Sequence, residues 1–203
     1  MPLTLYDTVH SVYARRVRLL AAELDIPITR VSLDYGKGDM KTPAYLAKNP
    51  GARVPALEDG DFMVWESLAI LNYLASLRPE RGMSPDNAKA RAVIDQWAAF
   101  WLCQPAAAIG ALAQEKIVKP MRGQPSHNET IVAGAEAMLA RDLPVIEGQL
   151  AGRDYLLGDL GVIDFLMAPQ MEALPRLDID LAAYPNIAAW LTRISAKPYW
   201  ATA

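Results

Sequence analysis

"RVPALEDGDFMVWES", Arg53 to Ser67, carries three signals in one short run. "RVPAL" and "FMVW" are apolar segments on either side of "EDGD", an acidic turn with a glycine, so the stretch predicts a β-hairpin. After Glu66-Ser67 the period changes: Ile70, Leu74 and Leu77 recur at helical spacing, and Ser67 is a residue type that caps a helix. Val54-Pro55, at the entrance of the hairpin, has two readings. The proline is the first residue of an edge strand, where no ladder donor is missed. Or the bond before it is cis, a state taken by only about 5–6% of X-Pro bonds.

Upstream, "LTLYD" at 3–7 reads as a short buried strand. From Ser11, inside "HSVYARRVR" (10–18), the pattern turns helical, with Ala14, Val17, Ala21 and Leu24 on one face. Helical spacing spreads Arg15, Arg16 and Arg18 around the rest, which reads as a solvated face. Pro27 stops the helix. "ITRVSLDY" (28–35) alternates and is rich in β-branched residues, so strand, helix and strand form a βαβ unit with a parallel pair. "GKGD" is a loop, and "TPAYLAKNP" a short helix opened by Thr42 with Pro43 in its first turn. The order is β-α-β-α-β-β-α, ending near residue 77.

Downstream, "RPERGMSPDN" (78–87) is a linker by composition. No strand pattern of comparable quality follows. Residues 88–110 read as one helix with Ile94, Trp97 and Trp101 at core spacing, and "VKPMRGQPSHNE" as a mobile loop. Residues 129–150 form a long helical pattern that Pro144 is expected to kink or break. "GVIDFLMAPQMEAL" and "PNIAAWLTRISA" supply two more helices. The fold class is therefore α/β plus all-α: residues 1–77, a linker at 78–87, and a helical part at 88–203. No internal repeat or low-complexity tract is evident.

The chain has 203 residues, 52% of them hydrophobic, enough for a sizeable core. A net charge of −3 gives no field to attract nucleic acid or an anionic membrane. The single cysteine, Cys103, excludes an internal disulfide, and with only His10 and His127 no Cys/His metal cluster is expected. No apolar run reaches membrane-spanning length, and "MPLTLYDTV" lacks the basic and apolar regions of a signal peptide. A soluble cytoplasmic protein is the expectation.

The combination of Val54-Pro55-Ala56-Leu57 with Glu66-Ser67 resembles the glutathione S-transferases. "LYD…SVYARRVRLLAAEL" and "NPGARVPALEDGD" extend the resemblance in the first half, and "QWAAFW", "YLLGDLGVIDFLMAP" and "YPNIAAWLTRI" in the second. It implies a thioredoxin-like N-terminal domain that binds glutathione, an all-helical C-terminal domain that shapes the second-substrate pocket, and a homodimer. In this context the cis reading of Val54-Pro55 is preferred, because it exposes the Val54 backbone to an extended peptide ligand. The helix N-terminus at Ser67 suits a carboxylate. The resemblance gives Ser67 the γ-glutamyl carboxylate of glutathione and Glu66 its ammonium. Arg53 could reach a ligand carboxylate, although the family often has Gln or Lys there. Lys41 is a weaker candidate for the glycine end.

Ser11 matches the catalytic serine of theta, delta and zeta members, so a bacterial, serine-type, theta- or zeta-like enzyme is expected. Glutathione reacts as its thiolate. Lowering a thiol pKa of about 8.5 by two units takes about 2.7 kcal/mol. A helix N-terminus offers about 0.3–1 kcal/mol, and a hydrogen bond to a charged group about 1.5–3 kcal/mol. A hydroxyl at the helix head supplies both; the plain alternative is a cap worth about 1 kcal/mol. Tyr6 stands where other classes carry a catalytic tyrosine, and it is read as core. Tyr13 is read as packing or leaning over the site, and His10 as a loop residue. "SVYA" at 11–14 has no cysteine, so dithiol and mixed-disulfide exchange at that position are excluded.

In the helical half, Gly161-Val162-Ile163-Asp164 matches the family's capping box, with glycine at the cap and Asp164 in a folding role. Trp97, Trp101 and Trp190 read as core, and Cys103 as core or lining the second pocket. Phe100, Gln104 and Ile109 are assigned to the electrophile pocket from position only. The function expected is conjugation of the glutathione thiolate to a small apolar electrophile, with glutathione as co-substrate and no metal. Two other readings stand beside it. One is a non-catalytic interaction module of the same fold, like stringent starvation protein A; the other is a glutathione-dependent isomerase or dehalogenase.

Overall fold

The computed structural model describes residues 3–85, 87–124 and 128–203. Asp86 of the linker, and Pro125, Ser126 and His127 of the loop read after residue 117, lie outside the described residues. The chain divides into two compact units, one of residues 1–85 with 198–203 and one of residues 86–197.

The first unit is built on a four-stranded mixed sheet. β1 (Leu3–Asp7), β2 (Ile28–Ser32), β3 (Ala56–Asp59) and β4 (Phe62–Trp65) lie in the order β2-β1-β3-β4. β1 pairs parallel with β2, from Leu3↔Ile28 to Asp7↔Ser32, and antiparallel with β3, where Tyr6 faces Ala56. β3 and β4 are the expected hairpin, turned at Gly60 with φ 62°. α1 (Val12–Glu23) and α3 (Ser67–Ser76) pack together, burying Val17, Leu20, Ile70 and Leu74. α2 (Pro43–Leu46), capped by Thr42, sets Tyr45 against Val54 and Ala56, with Tyr6 and Met63 at the edge of that cluster.

Three details differ from expectation. The N-cap position of α3 belongs to Glu66, and Ser67 is the first helical residue. α1 is no solvated face at its arginines. Arg16 is fully buried, Arg18 has only 8% of its side chain exposed, and Arg15 donates to the Trp200 carbonyl at 3.0 Å. The physical reason is that α1 is covered on more than its apolar stripe, by α3 and by residues 198–203. Those last residues group with the sheet, so the helical unit ends at Lys197 rather than at Ala203.

The second unit is helical. α4 (Ala88–Cys103) and α5 (Pro105–Ala113) replace the single helix read over 88–110. Pro105 has no N–H to continue the ladder and disfavours the helical region for the residue before it, and Gln104 turns to φ −127°, ψ −85°. Beyond a π-turn at Gln114–Val118, α6 (Lys119–Met121) keeps part of the expected loop helical. α7 (Glu129–Leu150) starts at the Asn128 cap and runs unbroken through Pro144. Leu139, Leu143, Ile146 and Leu150 are all within 1% of full burial, and this packed stripe overrides the proline. α8 (Val162–Met171) is buried at every residue, and α9 (Pro185–Ser195) places Trp190 against it.

Asp164 ties α8 down. Its carboxylate accepts from the Gly161 N–H at 3.0 Å, the Leu156 N–H at 3.0 Å and the Trp190 Nε1–H at 2.9 Å. Burial pushes this carboxyl up to about 6 against the pull of those donors. Among the described residues no helix is long and apolar enough to cross a membrane.

Candidate active site

The entrance of the hairpin is fixed from α2. The Tyr45 hydroxyl donates to the Arg53 carbonyl at 2.6 Å, and Asn49 Nδ2 donates to the same oxygen at 2.8 Å. Burial pushes the Tyr45 phenol up to about 12, so it stays protonated as a donor. Asn49 Oδ1 accepts from the Gly51 N–H at 2.9 Å, an Asx turn that brings the chain around to Ala52 at φ 51°. The carbonyl before Val54 is thus clamped twice. Val54-Pro55 is cis. Val54 is 6% exposed, and neither its N–H nor its C=O bonds to another described residue outside the ladder. Buried backbone groups are rarely left unpaired, so this pair is available to an extended ligand as another strand would be.

Glu66 follows β4 with φ 73° and ψ 122°. A non-glycine residue in the left-handed region costs about 1–3 kcal/mol, and such residues gather at ligand sites. The turn leaves its carboxylate exposed, with no partner among the described residues. Ser67 is 6% exposed and its hydroxyl makes no cap bond. Ser67 Oγ accepts instead from Arg16 Nη1 at 3.1 Å. The Arg16 guanidinium lies 4.8 Å from the centre of the Tyr13 ring. Burial brings Arg16 down to about 10, which still leaves it charged at neutral pH.

These residues enclose a cavity of about 450 Å³ lined by Tyr13, Tyr35, Asn49, Arg53, Val54, Pro55, Glu66 and Ser67. That volume falls within the roughly 300–1,000 Å³ of small-molecule sites. Arg53 brings a positive charge to the cavity and Glu66 a negative one. Arg16 adds a buried positive charge behind Ser67. The set matches a zwitterionic ligand with an excess of carboxylate.

Of the residues read from the sequence, Arg53, Val54, Pro55, Glu66 and Ser67 come together here. Ser11 is half-buried at the head of α1, where Oγ accepts from the Ala14 N–H at 3.2 Å. Its neighbour Tyr13 lines the cavity, and Ser11 is not among the lining residues. Lys41 is also outside the lining. It closes a short turn, Asp39–Lys41, whose Met40 goes into the core and leaves Lys41 exposed. Tyr6 does not line the cavity, and its hydroxyl donates to Glu58 at 2.5 Å under the Lys48 ammonium, with its pKa raised first by burial. His10 is exposed in the turn before Ser11.

The three positional assignments in the helical unit fare differently. Phe100 is half-buried, edge-on to Trp97 at 5.7 Å. Gln104 Oε1 accepts from Arg141 Nη2 at 2.8 Å. Ile109 is 1% exposed and packed into the core between α5 and its neighbours, so it has no surface to offer a substrate. Cys103 is exposed rather than core.

The sequence reading missed Asn49, Tyr45 and Arg16. Asn49-Pro50-Gly51 carries an Asx-turn signal that marks the first. Nothing in the arginine-rich run marks Arg16 as the buried one.

Residues 1–76 match the family model described as glutathione S-transferase, N-terminal domain, and residues 110–198 match glutathione S-transferase, C-terminal domain. Over 201 residues the chain is 31% identical to the probable glutathione S-transferase GSTF2 of Oryza sativa subsp. japonica, covering 97% of this chain and 93% of that protein. Among solved structures it resembles glutathione transferase F2 from Populus trichocarpa, at a TM-score of 0.89 and 25% identity over 99% of this chain and 96% of that one. A glutathione S-transferase-I bound with the ligand lactoylglutathione gives a TM-score of 0.89 and 27% identity, covering 100% and 98% of the two chains. The rice and poplar relatives carry F designations, which corrects the theta- or zeta-like subclass expected from the serine alone. With both halves matched and the full-length relatives agreeing, the chain belongs to the glutathione S-transferase family.

Proposed function

We propose that the protein is a glutathione transferase that binds glutathione in the cavity between the cis-proline turn and the head of α3, and activates its thiol at Ser11. The observation that carries this reading is the unspent recognition set: a Val54 backbone pair and a Glu66 carboxylate with no partner among the described residues, and a Ser67 hydroxyl backed by a buried cation. The Val54 N–H and C=O pair with the peptide backbone of glutathione. Glu66 takes the γ-glutamyl ammonium. Ser67 accepts from Arg16, which leaves its own proton for the γ-glutamyl carboxylate. Arg53 meets the second carboxylate, with Lys41 as the alternative at the glycine end.

Ser11 has the same logic at the thiol. Its oxygen accepts from a helix N–H, so its proton points elsewhere and is polarised for donation. Together with the positive end of α1 this favours the thiolate by the 2–3 kcal/mol that the titration requires. The Tyr6 proton is committed to Glu58, which supports the serine over the tyrosine.

The thiolate then attacks a small apolar electrophile. We further propose residues 1–77 as the glutathione-binding domain and the helical unit from residue 88 as the electrophile domain, in a cytoplasmic homodimer. Calorimetric titration with glutathione, followed by assay of an activated aryl chloride, tests the reading. Saturable binding that is weakened in Glu66→Gln, with conjugation lost in Ser11→Ala, supports it. Absence of binding at millimolar glutathione turns the assignment to the non-catalytic interaction module.

A further inference from the structure

Tyr13 stands apart from the rest of α1. The apolar stripe of that helix, with Ala14, Val17 and Leu20, is closed to solvent, whereas Tyr13 is 42% exposed. Its ring is therefore not spent on the core. It forms part of the wall of the cavity at the head of α3. Arg16 follows three residues later, close to one turn along the same surface of the helix. The Arg16 guanidinium lies over the Tyr13 ring, 4.8 Å from its centre. That is inside the roughly 6 Å reach of a cation–π contact.

Arg16 is fully buried and is not among the lining residues of the cavity. It touches two residues that are. One is Tyr13, and the other is Ser67, whose Oγ accepts from Arg16 Nη1 at 3.1 Å. The field of a cation is strong only while water is kept away from it. Here one side of the guanidinium is covered by a ring whose remaining surface is open to solvent. An aliphatic side chain of similar bulk would also exclude water, but it lacks the negative ring face that offsets the lost hydration of the cation. A small side chain would let the water of the cavity reach the guanidinium.

We propose that Tyr13 is a positioning residue for glutathione recognition: its ring covers the Arg16 guanidinium against the water of the cavity and so maintains the Arg16–Ser67 contact that receives the γ-glutamyl carboxylate. This role presupposes the glutathione reading above and adds to it a residue that acts through another. Two rival accounts make Tyr13 act directly, as a phenol that donates to the ligand or its thiol, or as a plain apolar wall.

The test is calorimetric titration of the full chain with glutathione and with S-methylglutathione, beside conjugation kinetics. S-methylglutathione keeps the γ-glutamyl carboxylate and has no thiol to ionise. Tyr13→Leu, which keeps apolar bulk and removes the ring face, is expected to weaken both ligands about three- to tenfold. The KM for glutathione should rise by the same factor, with kcat nearly constant. Tyr13→Phe, which keeps the ring and removes the hydroxyl, is expected to stay within about twofold of the parent. In an Arg16→Met background, Tyr13→Leu should cost less than about twofold further, because no cation is left to cover. Circular dichroism melting checks that each variant folds, and the two single Tyr13 variants decide the matter if the double variant does not. Equal weakening by Tyr13→Phe and Tyr13→Leu assigns the effect to the hydroxyl and overturns the proposal. Unchanged affinity in Tyr13→Leu overturns it as well, and so does an undiminished loss in the Arg16→Met background. A loss confined to glutathione, with S-methylglutathione unaffected, places Tyr13 at the thiol and overturns it too. If the parent binds neither ligand at about 10 mM, the glutathione reading fails and this role falls with it; if the parent binds, the variants judge Tyr13 alone.

Discussion

Two helices of the first unit present a serine at their heads, and the serines are wired differently. Ser11 caps α1, and its oxygen is held by a neutral backbone N–H of its own helix. Ser67 sits one residue inside α3, and its oxygen is held by a buried guanidinium from the neighbouring helix. Both arrangements use the oxygen as an acceptor and free the hydroxyl proton for a ligand. The difference lies in what backs it. A local cap gives directionality with modest charge, enough to bias a thiol near its own pKa. A buried cation gives a standing field, suited to a carboxylate that is always ionised. The helix head of α8 is the contrasting case, because Asp164 fills it from within and leaves nothing for a ligand.

The largest effect is expected at Ser11. Ser11→Ala should lower the conjugation rate about 10- to 100-fold, the loss of a 1.5–3 kcal/mol charge-assisted bond, with the bound thiol pKa rising by one to two units. The thiolate absorbance against pH, read beside stopped-flow turnover, checks both. A bound thiol pKa and rate unchanged from the parent would falsify the catalytic role. Next, Arg16→Met should raise the KM for glutathione about 10- to 30-fold, at the lower half of the range for a hydrogen bond to a charged group, with kcat nearly constant. If kcat falls and KM holds, the field of Arg16 serves the thiol instead, and the division between the two helix heads collapses.

Ser67→Ala should raise the same KM only several-fold, since the cation remains, and should leave the thiol pKa alone. Its folding stability should change less than that of Ser11→Ala, which gives up a cap worth about 1 kcal/mol. Urea midpoints of the two variants decide whether one serine is a cap and the other is not. The smallest effect concerns α8. The folded-state pKa of Asp164, about 6, lies above its ordinary 3.8, so the stability it contributes is full below pH 3.8 and declines as pH rises to about 6. The gap in urea midpoint between the parent and Asp164→Asn should therefore narrow from pH 4 to pH 6. A gap that widens over that range would mean the three N–H donors outweigh burial.

Much of this was legible in the chain itself. β1 begins and ends where the pattern puts it, Thr42 and Ser11 cap as their types suggest, and the hairpin around Gly60 follows its turn residues. What escaped depends on partners far away in sequence. Arg16 looks no different from Arg15 until α3 covers it. Pro144 looks like a break until a stripe of buried leucines and isoleucine holds α7 in line. Gln104, by contrast, carried a signal in the sequence, since the proline after it disfavours the helix it was assigned to. Ile109 shows the limit of assigning a pocket by position, because helical spacing alone does not say which face is walled in.

The tail has a consequence for how the molecule is made. Trp200 is 3% exposed, held where Arg15 donates to its carbonyl and stacks on its ring, and Tyr199 bonds to Glu23. The first unit is therefore completed by residues that are translated after the whole helical unit. During synthesis Arg15 meets its Trp200 partner only after the whole helical unit has been translated. A chain stopped after residue 85 would carry the sheet and the cis-proline turn and still lack a piece of its own wall.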